Sequence, residues 1–136
     1  MTNLWQSIEG FPIFALYFAL ALILLALFVA IYIRVTPYDE FRLIRENNVA
    51  AAVSLSGATI GFVLPLASAI AHSVNPVVML AWGVIGSLVQ IVVYVAAARL
   101  VPGFDEAIKA GRVAPAALLA TLSIAVGVLN ASCLTY

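Results

Sequence analysis

Apolar residues form four long runs along the chain, and short segments that contain most of the charged side chains separate them. The runs cover residues 12–33, 49–71, 77–100 and 113–133, and they contain no Asp, Glu, Lys or Arg until Arg99 near the end of the third. A bilayer core of about 30 Å is crossed by about 20 helical residues. Backbone N–H and C=O groups in lipid must pair within their own segment, which favours helices. The pattern therefore predicts an all-α integral membrane protein with four transmembrane helices.

The first run differs from a cleavable secretory signal. No basic residue precedes it, it is longer than a usual signal core, and no small-residue cleavage site follows it cleanly. We therefore expect this run to be retained as a membrane anchor.

The distribution of charge predicts the orientation of the helices. Only 9% of the 136 residues are charged, whereas a typical soluble chain has about 25%. Basic loops remain in the cytoplasm, so we predict both termini on the extracytoplasmic side. All six basic residues lie in or beside the first and third loops between the runs: Arg34, Arg42, Arg45, Arg99, Lys109 and Arg112.

Aromatic residues near the ends of the runs fit this orientation. Tryptophan and tyrosine are enriched where a membrane protein meets the polar headgroups. We predict Trp5, Phe11, Trp82 and Tyr136 at the outer interface, and Tyr32 and Tyr38 at the inner one.

The two halves of the chain resemble each other at an offset of 66 residues. Each half has a helix, a loop in which acidic residues precede basic ones, and a second helix. We therefore divide the single membrane domain into two hairpins, residues 1–68 and 69–136, that repeat in the same orientation. The pairs of identical residues are Val35 and Val101, Asp39 and Asp105, Glu40 and Glu106, Ala50 and Ala116, Ala51 and Ala117, and Gly61 and Gly127.

The second helix of each half has a stripe of small residues. Spacings of four, three and four residues keep the stripe on one helical face, where small side chains let two backbones approach closely in lipid. We predict that the second and fourth helices cross there. The alternative is a chance run of small residues. The stripes are Ala50, Ser54, Gly57 and Gly61, and Ala116, Ala120, Ser123 and Gly127.

The two charged loops are candidates for ordered structure. In the first loop we predict a short surface helix that Thr36 caps, that Pro37 opens and that Asn47 and Asn48 end. In the second, Gly111 is the expected stop, although a solvated run of charges explains this loop equally well. The basic residues available to a cytoplasmic partner are Arg42, Arg45, Lys109 and Arg112.

Neutral polar residues interrupt the apolar runs. Gln90 lies near the middle of the third run, and an unpaired amide in lipid is strongly unfavourable, so we expect it to face another helix or water. Asn130 lies toward the outer end of the fourth run. Hydrogen bonds between helices and the lining of a polar path remain two open interpretations. The candidate path consists of Gln90, Ser87, Thr121 and Asn130.

Pro65 lies inside the second run and predicts a helix kink near residues 61–64. Proline has no backbone N–H, so the carbonyl one turn earlier loses its usual donor. A neighbouring Ser or Thr can satisfy that carbonyl, and in transporters such carbonyls bind ions.

Composition offers little for catalysis or metal binding. The net charge is zero, which excludes a strongly basic surface for nucleic acid. Cys133 and His72 are single residues of their type, and neither has further metal ligands nearby. No nucleophile, base and orienting group occur together. We therefore predict a protein that is not an enzyme, with no catalytic residues, no metal and no cofactor.

Several segments together resemble one bacterial family. They are Thr36 to Glu40, Arg45 to Ala51, Ser56-Gly57, Gly61 to Leu66, Ala81 to Gly83, and Asn130 to Tyr136. In this order they are similar to the YjfL-type inner-membrane proteins, a domain of unknown function (number 350). The resemblance covers nearly the whole chain. It implies a bacterial plasma membrane location and a genetic context of envelope stress and polyamines, but no ligand or catalytic residues.

Two classes of function fit these patterns. The first, slightly favoured, is a passive conduit or carrier for a small polar solute or ion. Four helices pack around a filled core, so a path of this kind requires a homo-oligomer. The second is a structural or adaptor protein that docks a membrane-stress partner through its two charged loops.

Overall fold

The computed structural model describes residues 2–72 and 75–134 of the chain. This part is all-helical, and four of its helices are long and apolar enough to cross a membrane, which confirms the four predicted spans to within about two residues at each end. The helices are α1 (Thr2–Glu9), α2 (Phe11–Val35), α3 (Glu40–Arg45), α4 (Val49–His72), α5 (Pro76–Leu100), α6 (Phe104–Lys109) and α7 (Val113–Cys133).

The helix α4 is the centre of the bundle. It packs most extensively on α7 and also contacts α2, α3, α5 and α6. By contrast, α2 has a narrow buried stripe of Leu24, Phe28 and Tyr32, each four residues from the next. Half-buried residues such as Leu20, Leu25 and Val29 flank this stripe, and most of the other side chains of α2 are exposed.

The short helices α3 and α6 lie together at one end of the bundle, which we call the charged end. Asp39, rather than the predicted Thr36, is the N-cap of α3, and its carboxylate accepts a hydrogen bond from the Arg42 backbone N–H at 3.2 Å. Pro37 accordingly lies before the helix and not in its first turn. Thr36 has extended backbone at the end of α2, and its hydroxyl bonds the Glu40 carboxylate instead.

Both short helices end as predicted, in a residue with left-handed backbone. Asn47 has φ 65° after α3, and Gly111 has φ 80° after α6. In each turn the backbone N–H of the following residue donates a hydrogen bond to the carbonyl five residues earlier. Asn48 donates to Leu43, and Arg112 donates to Ala107. The first residues of the two short helices, Glu40 and Phe104, are 64 residues apart, and so are the left-handed residues Asn47 and Gly111. The identical residues of the two halves are instead 66 residues apart.

Two further features concern the helix before the first span and the proline of α4. The segment before the first span forms the separate helix α1, whose Trp5 side chain is 64% exposed. The helix α4 continues from Val49 to His72 through Pro65, which is buried. At the opposite end of the bundle, Asn75 is the N-cap of α5. Its side-chain oxygen accepts a hydrogen bond from the Val78 backbone N–H at 3.0 Å.

Candidate functional site

The small residues of α4 and α7 lie against each other. A Cβ atom built on Gly57 would lie 2.3 Å from the Ala120 Cα, and one on Gly61 would lie 2.3 Å from the Ser123 carbonyl oxygen. Because real Cβ atoms do not approach so closely, only glycine fits at these positions. The remaining stripe residues Ala50, Ser54 and Ala116 are also buried.

The Gly61 carbonyl has a specific place in this crossing. Pro65 cannot donate to it, since proline has no backbone N–H. A Cβ on Gly127 would lie 2.4 Å from the Gly61 oxygen, so the Gly127 Cα faces that oxygen across the interface. Weak Cα–H···O contacts of this kind recur where helices pack closely. A glycine of α7, not the Ser or Thr considered above, therefore faces the carbonyl that proline frees.

Gln90 fills the junction of α4, α5 and α7. It is 1% exposed, and its side-chain N–H donates to the Ser123 carbonyl at 3.1 Å. A Cβ on Gly61 would lie 2.7 Å from the Gln90 amide nitrogen, so the glycine makes room for this bond. Gln90 Oε1 and Ser123 Oγ are buried without a hydrogen-bond partner among the described residues. The bond is of the helix-to-helix type considered for Gln90.

The other residues of the candidate path do not all join Gln90. The Ser87 hydroxyl bonds the Gly83 carbonyl of its own helix at 3.0 Å. Thr121 is exposed, and its hydroxyl bonds the Ala117 carbonyl at 2.8 Å. Asn130 is half-buried and lies seven residues beyond Ser123 on the same helix. Within one chain, Thr121 faces away from the junction that contains Gln90.

At the charged end, one side chain connects the two hairpins. The Asn48 amide N–H donates to the carbonyls of Ile108 at 2.9 Å and Lys109 at 3.4 Å. Its Oδ1 accepts from the Ala51 backbone N–H at 3.0 Å, which caps the start of α4. The sequence pattern identified Asn48 as the end of a helix but could not reveal a contact with a segment 60 residues away.

The basic residues of the charged end point outward. Arg42 approaches Glu46 at 3.8 Å and Lys109 approaches Glu106 at 3.6 Å, and these two ion pairs are exposed. Arg45 and Arg112 are also exposed. Two adjoining clefts, of about 410 Å³ and 310 Å³, share Leu43 and Lys109 in their walls. The other lining residues are Glu46, Asn47, Asn48, Val49, Ala110, Gly111 and Val113 in the larger cleft, and Pro37, Tyr38, Asp39 and Arg42 in the smaller.

Tyr32 and Tyr38, predicted at the inner interface, are 1% and 6% exposed and face the bundle interior at the charged end, whereas Tyr136 lies outside the described residues. Tyr32 belongs to an aromatic column inside the bundle. Ring centroids are 5.6 Å apart for Phe28 and Tyr32, and 5.8 Å for Tyr32 and Tyr94. The Tyr94 hydroxyl donates to Asp105 Oδ1 at 2.5 Å.

Glu40 is the functional candidate that sequence reasoning missed. It is 1% exposed and lies beside the aromatic column. Burial raises the pKa of its carboxyl, while the hydrogen bond from Thr36 opposes that rise and the nearby Asp39 adds to it. Glu106, its identical partner at the sequence offset of 66, is instead exposed in the ion pair with Lys109. At the structural offset of 64, the buried first residue of α6 is Phe104, so Glu40 occupies a position that is apolar in the other half.

Other chemistry-bearing residues lie apart from these features. The His72 ring is exposed, and its Nδ1 lies 2.9 Å from the Ser68 carbonyl of its own helix. Cys133 is a free, exposed cysteine at the end of α7. Among residues 2–72 and 75–134, no three His, Cys, Asp or Glu side chains are grouped to hold a metal ion.

The profile of the family described as Domain of Unknown Function (DUF350) matches residues 6–134. The chain belongs to the DUF350 family. Its relatives in this family include the UPF0719 inner membrane protein YjfL of Escherichia coli strain K12, 33% identical over 123 residues, 90% of this chain and 93% of the relative. The UPF0719 transmembrane protein YshE of Bacillus subtilis strain 168 is 28% identical over 104 residues, 76% of each chain. No solved structure matches.

Membership of the DUF350 family confirms the resemblance recognised in the sequence. The matched region includes all four long helices and both short ones. The names of the relatives describe membrane proteins and state no activity or ligand.

Proposed function

We propose that this DUF350 member is a non-enzymatic multipass protein of the bacterial inner membrane whose charged end docks a cytoplasmic partner. The observation that carries the proposal is the bridge from Asn48 to the carbonyls of Ile108 and Lys109. This bridge holds α3 and α6 as one surface, and a preorganised surface loses less conformational entropy when it binds.

The location and orientation rest on separate arguments. The relatives are named inner membrane and transmembrane proteins, and the chain has four helices of spanning length. All basic residues of the sequence lie at or near the charged end, so the positive-inside rule puts that end in the cytoplasm and both termini outside. The repeated order of a long, a short and a long helix supports two hairpins of the same orientation.

The chemistry of the surface favours an acidic partner. Arg42 and Lys109 line the clefts and are close to Glu46 and Glu106, and the exposed Asp39 lines the smaller cleft as the N-cap of α3. Arg45 and Arg112 are exposed basic groups of the same end, and neither has a salt bridge among the described residues. Exposed charges of one sign steer an oppositely charged partner and set its register. A protein of the membrane-stress response is the partner that the family context implies.

Photo-crosslinking in intact cells tests the docking proposal. A crosslinking amino acid at Arg45 or Arg112 is expected to capture a defined protein, and one at Ser132, near the opposite end, is not. Changing Arg42, Arg45, Lys109 and Arg112 together to Gln should abolish capture from a crosslinker at Asn47, whereas changing the three arginines to Lys should retain it. Undiminished capture by a correctly inserted Gln variant would contradict the proposal.

A second function, an oligomeric conduit for a small polar solute or ion, is favoured by one observation. Gln90 Oε1 and Ser123 Oγ are buried in mid-bundle without a hydrogen-bond partner among the described residues. These two oxygens could therefore accept hydrogen bonds from a polar solute or coordinate an ion. The close contact of α4 with α7 leaves little space inside one chain. A path therefore requires several copies, and the exposed apolar sides of α2 and α5 are available for such assembly.

The conduit is tested by subunit count and flux. Native mass spectrometry from nanodiscs should give a defined homo-oligomer, and proteoliposomes should conduct K⁺ or glycerol. Gln90→Leu is expected to abolish flux, and Ser7→Ala, in the short helix α1 before the first span, is the control. A monomer, or flux that Gln90→Leu leaves unchanged, would remove this candidate.

A further inference from the structure

Glu40 is a buried carboxylate, and none of the described residues forms a salt bridge with it. Its side chain is 1% exposed; Oε1 bonds the Thr36 hydroxyl, and Oε2 has no hydrogen-bond partner among the described residues. The nearby basic residues Arg42 and Lys109 approach other glutamates on the surface. An ionised carboxylate in such a place is strongly unfavourable unless a positive charge compensates it.

Two buried tyrosine hydroxyls lie within electrostatic range of this carboxylate. Tyr32 and Tyr38 are nearly fully buried. The Tyr32 hydroxyl has no hydrogen-bond partner in the described part of the chain, and the Tyr38 hydroxyl, which lies beside Ser54, keeps bonding capacity. The Tyr32 hydroxyl interacts electrostatically with Tyr38 and with Glu40. The Tyr38 hydroxyl interacts with Glu40 and with Asp105. Three buried oxygens from α2, its following loop and α3 therefore have unused bonding capacity in one region.

We propose that Glu40 Oε2, together with the hydroxyls of Tyr32 and Tyr38, binds a single positive charge, either a proton or an alkali metal ion. Carboxylate and hydroxyl oxygens are hard ligands of the kind that hard cations prefer. A proton on Glu40 would neutralise the same group. Tyr38 also lines the 310 Å³ cleft of the charged end, so this cleft approaches the proposed site.

Further titratable and polar groups lie near Glu40 or near the Tyr38 hydroxyl and complete the electrostatic setting. Asp105 on α6 accepts from the Tyr94 hydroxyl of α5, and Ser54 of α4 faces the Tyr38 hydroxyl. Asp39 lies next to Glu40 in sequence and caps α3. All charged members of this set are acidic, so a bound cation reduces repulsion between α3 and α6. The site thereby links the cytoplasmic cation or proton level to the stability of the charged end, whether or not a partner docks there.

Thermal unfolding of the full chain in detergent tests the proposal. Unfolding is followed by circular dichroism from mildly acidic to alkaline pH, in N-methylglucamine, sodium or potassium chloride. Because the folded state holds a proton on Glu40 more tightly than the unfolded state, the wild-type melting temperature should fall as the pH rises through the folded pKa of Glu40. Glu40→Gln, a neutral residue of the same shape, should remove that fall. Glu106→Gln, at a side chain that is 80% exposed, should keep it.

The three salts distinguish the two sources of charge. If an alkali ion binds, sodium or potassium should raise the alkaline melting temperature of the wild type above its value in N-methylglucamine, and Glu40→Gln should not respond. If a proton alone binds, the three wild-type curves coincide. Equal dependence on pH and salt in the wild type and Glu40→Gln overturns the proposal. If Glu40→Gln fails to fold, Tyr38→Phe is the second variant, because it keeps Glu40 and removes one proposed ligand. It should shift the midpoint of the pH dependence or weaken the salt response. If both stay as in the wild type, the proposal is overturned.

Discussion

Replacing Gly61 with Ala adds a methyl group at the closest point between α4 and α7. The new Cβ would lie 2.3 Å from the Ser123 carbonyl oxygen and 2.7 Å from its carbonyl carbon. Comfortable contacts between heavy atoms are about 3.5–4.0 Å, so the two helices must move apart by about 1 Å. The obstacle is backbone, and no side-chain rotation can relieve it.

The expected loss of stability has two parts. Overpacking of a well-packed interior costs about 1–3 kcal/mol. The same methyl group would lie 2.7 Å from the Gln90 amide nitrogen, and loss of its hydrogen bond to Ser123 adds about 1 kcal/mol. We therefore expect Gly61→Ala to lower the free energy of unfolding by about 2–4 kcal/mol.

Gly86→Ala is the matched control on α5. Its Cβ would lie 3.7 Å from Phe62 and 3.8 Å from Pro65, which are ordinary contacts. Both variants make the same chemical change at a buried helical glycine, and Ala favours a helix by about 1 kcal/mol over Gly. Gly86→Ala should therefore be neutral or stabilising. Equilibrium unfolding in mixed micelles with increasing sodium dodecyl sulfate, followed by circular dichroism, measures both. Equal effects of the two variants would refute the close backbone contact of α4 with α7.

Substitutions at three positions, Asn48, Asn47 and Tyr94, test the charged end. Asn48→Ala should destabilise the protein by about 2 kcal/mol, because it removes both a helix cap and the bonds to α6. Asn48→Asp keeps the cap but not the donors, so hydrogen exchange measured by mass spectrometry should speed up over residues 104–112 in both variants; unchanged exchange would contradict the bridge. Asn47→Gly should be neutral or slightly stabilising in thermal melts, and Asn47→Val destabilising, because φ is 65° there; equal melting temperatures would be inconsistent with that backbone. Tyr94→Phe should lower the free energy of unfolding by about 1.5–3 kcal/mol, because its hydrogen bond to Asp105 is lost. Tyr17→Phe, outside the aromatic column, should leave the stability unchanged. Similar melting temperatures for both variants would count against the Tyr94–Asp105 bond.

Docking and cation binding at the charged end are separable in experiment. Docking depends on exposed residues such as Arg45 and Arg112, and cation binding depends on buried Glu40. A Glu40→Gln variant that still crosslinks to a partner but has lost its response to pH would support both proposals independently. A stabilised charged end that binds a partner more tightly at lower pH would connect them.

Local composition determined the membrane-spanning helices. Bilayer thickness sets a length requirement that a run of apolar residues meets or fails by itself, so all four spans could be predicted. The ends of α3 and α6 were also predictable, because Asn47 and Gly111 are residue types that readily adopt left-handed backbone. The start of α3 was not, since Thr36 and Asp39 are both good caps and only the fold chose between them.

Tertiary structure decided the polar interactions that matter for function. Gln90 meets Ser123 across 33 residues, and Asn48 meets Ile108 across 60. Glu40 and Glu106 are identical residues at the sequence offset of 66, yet Glu40 is buried and Glu106 is exposed. The short helices correspond at an offset of 64, so Glu40 is the first residue of α3 whereas Glu106 lies two residues beyond the first residue of α6. The sequence alone therefore predicted which segments are long and apolar enough to span the membrane, whereas packing between distant segments determined which carboxylate lost contact with water.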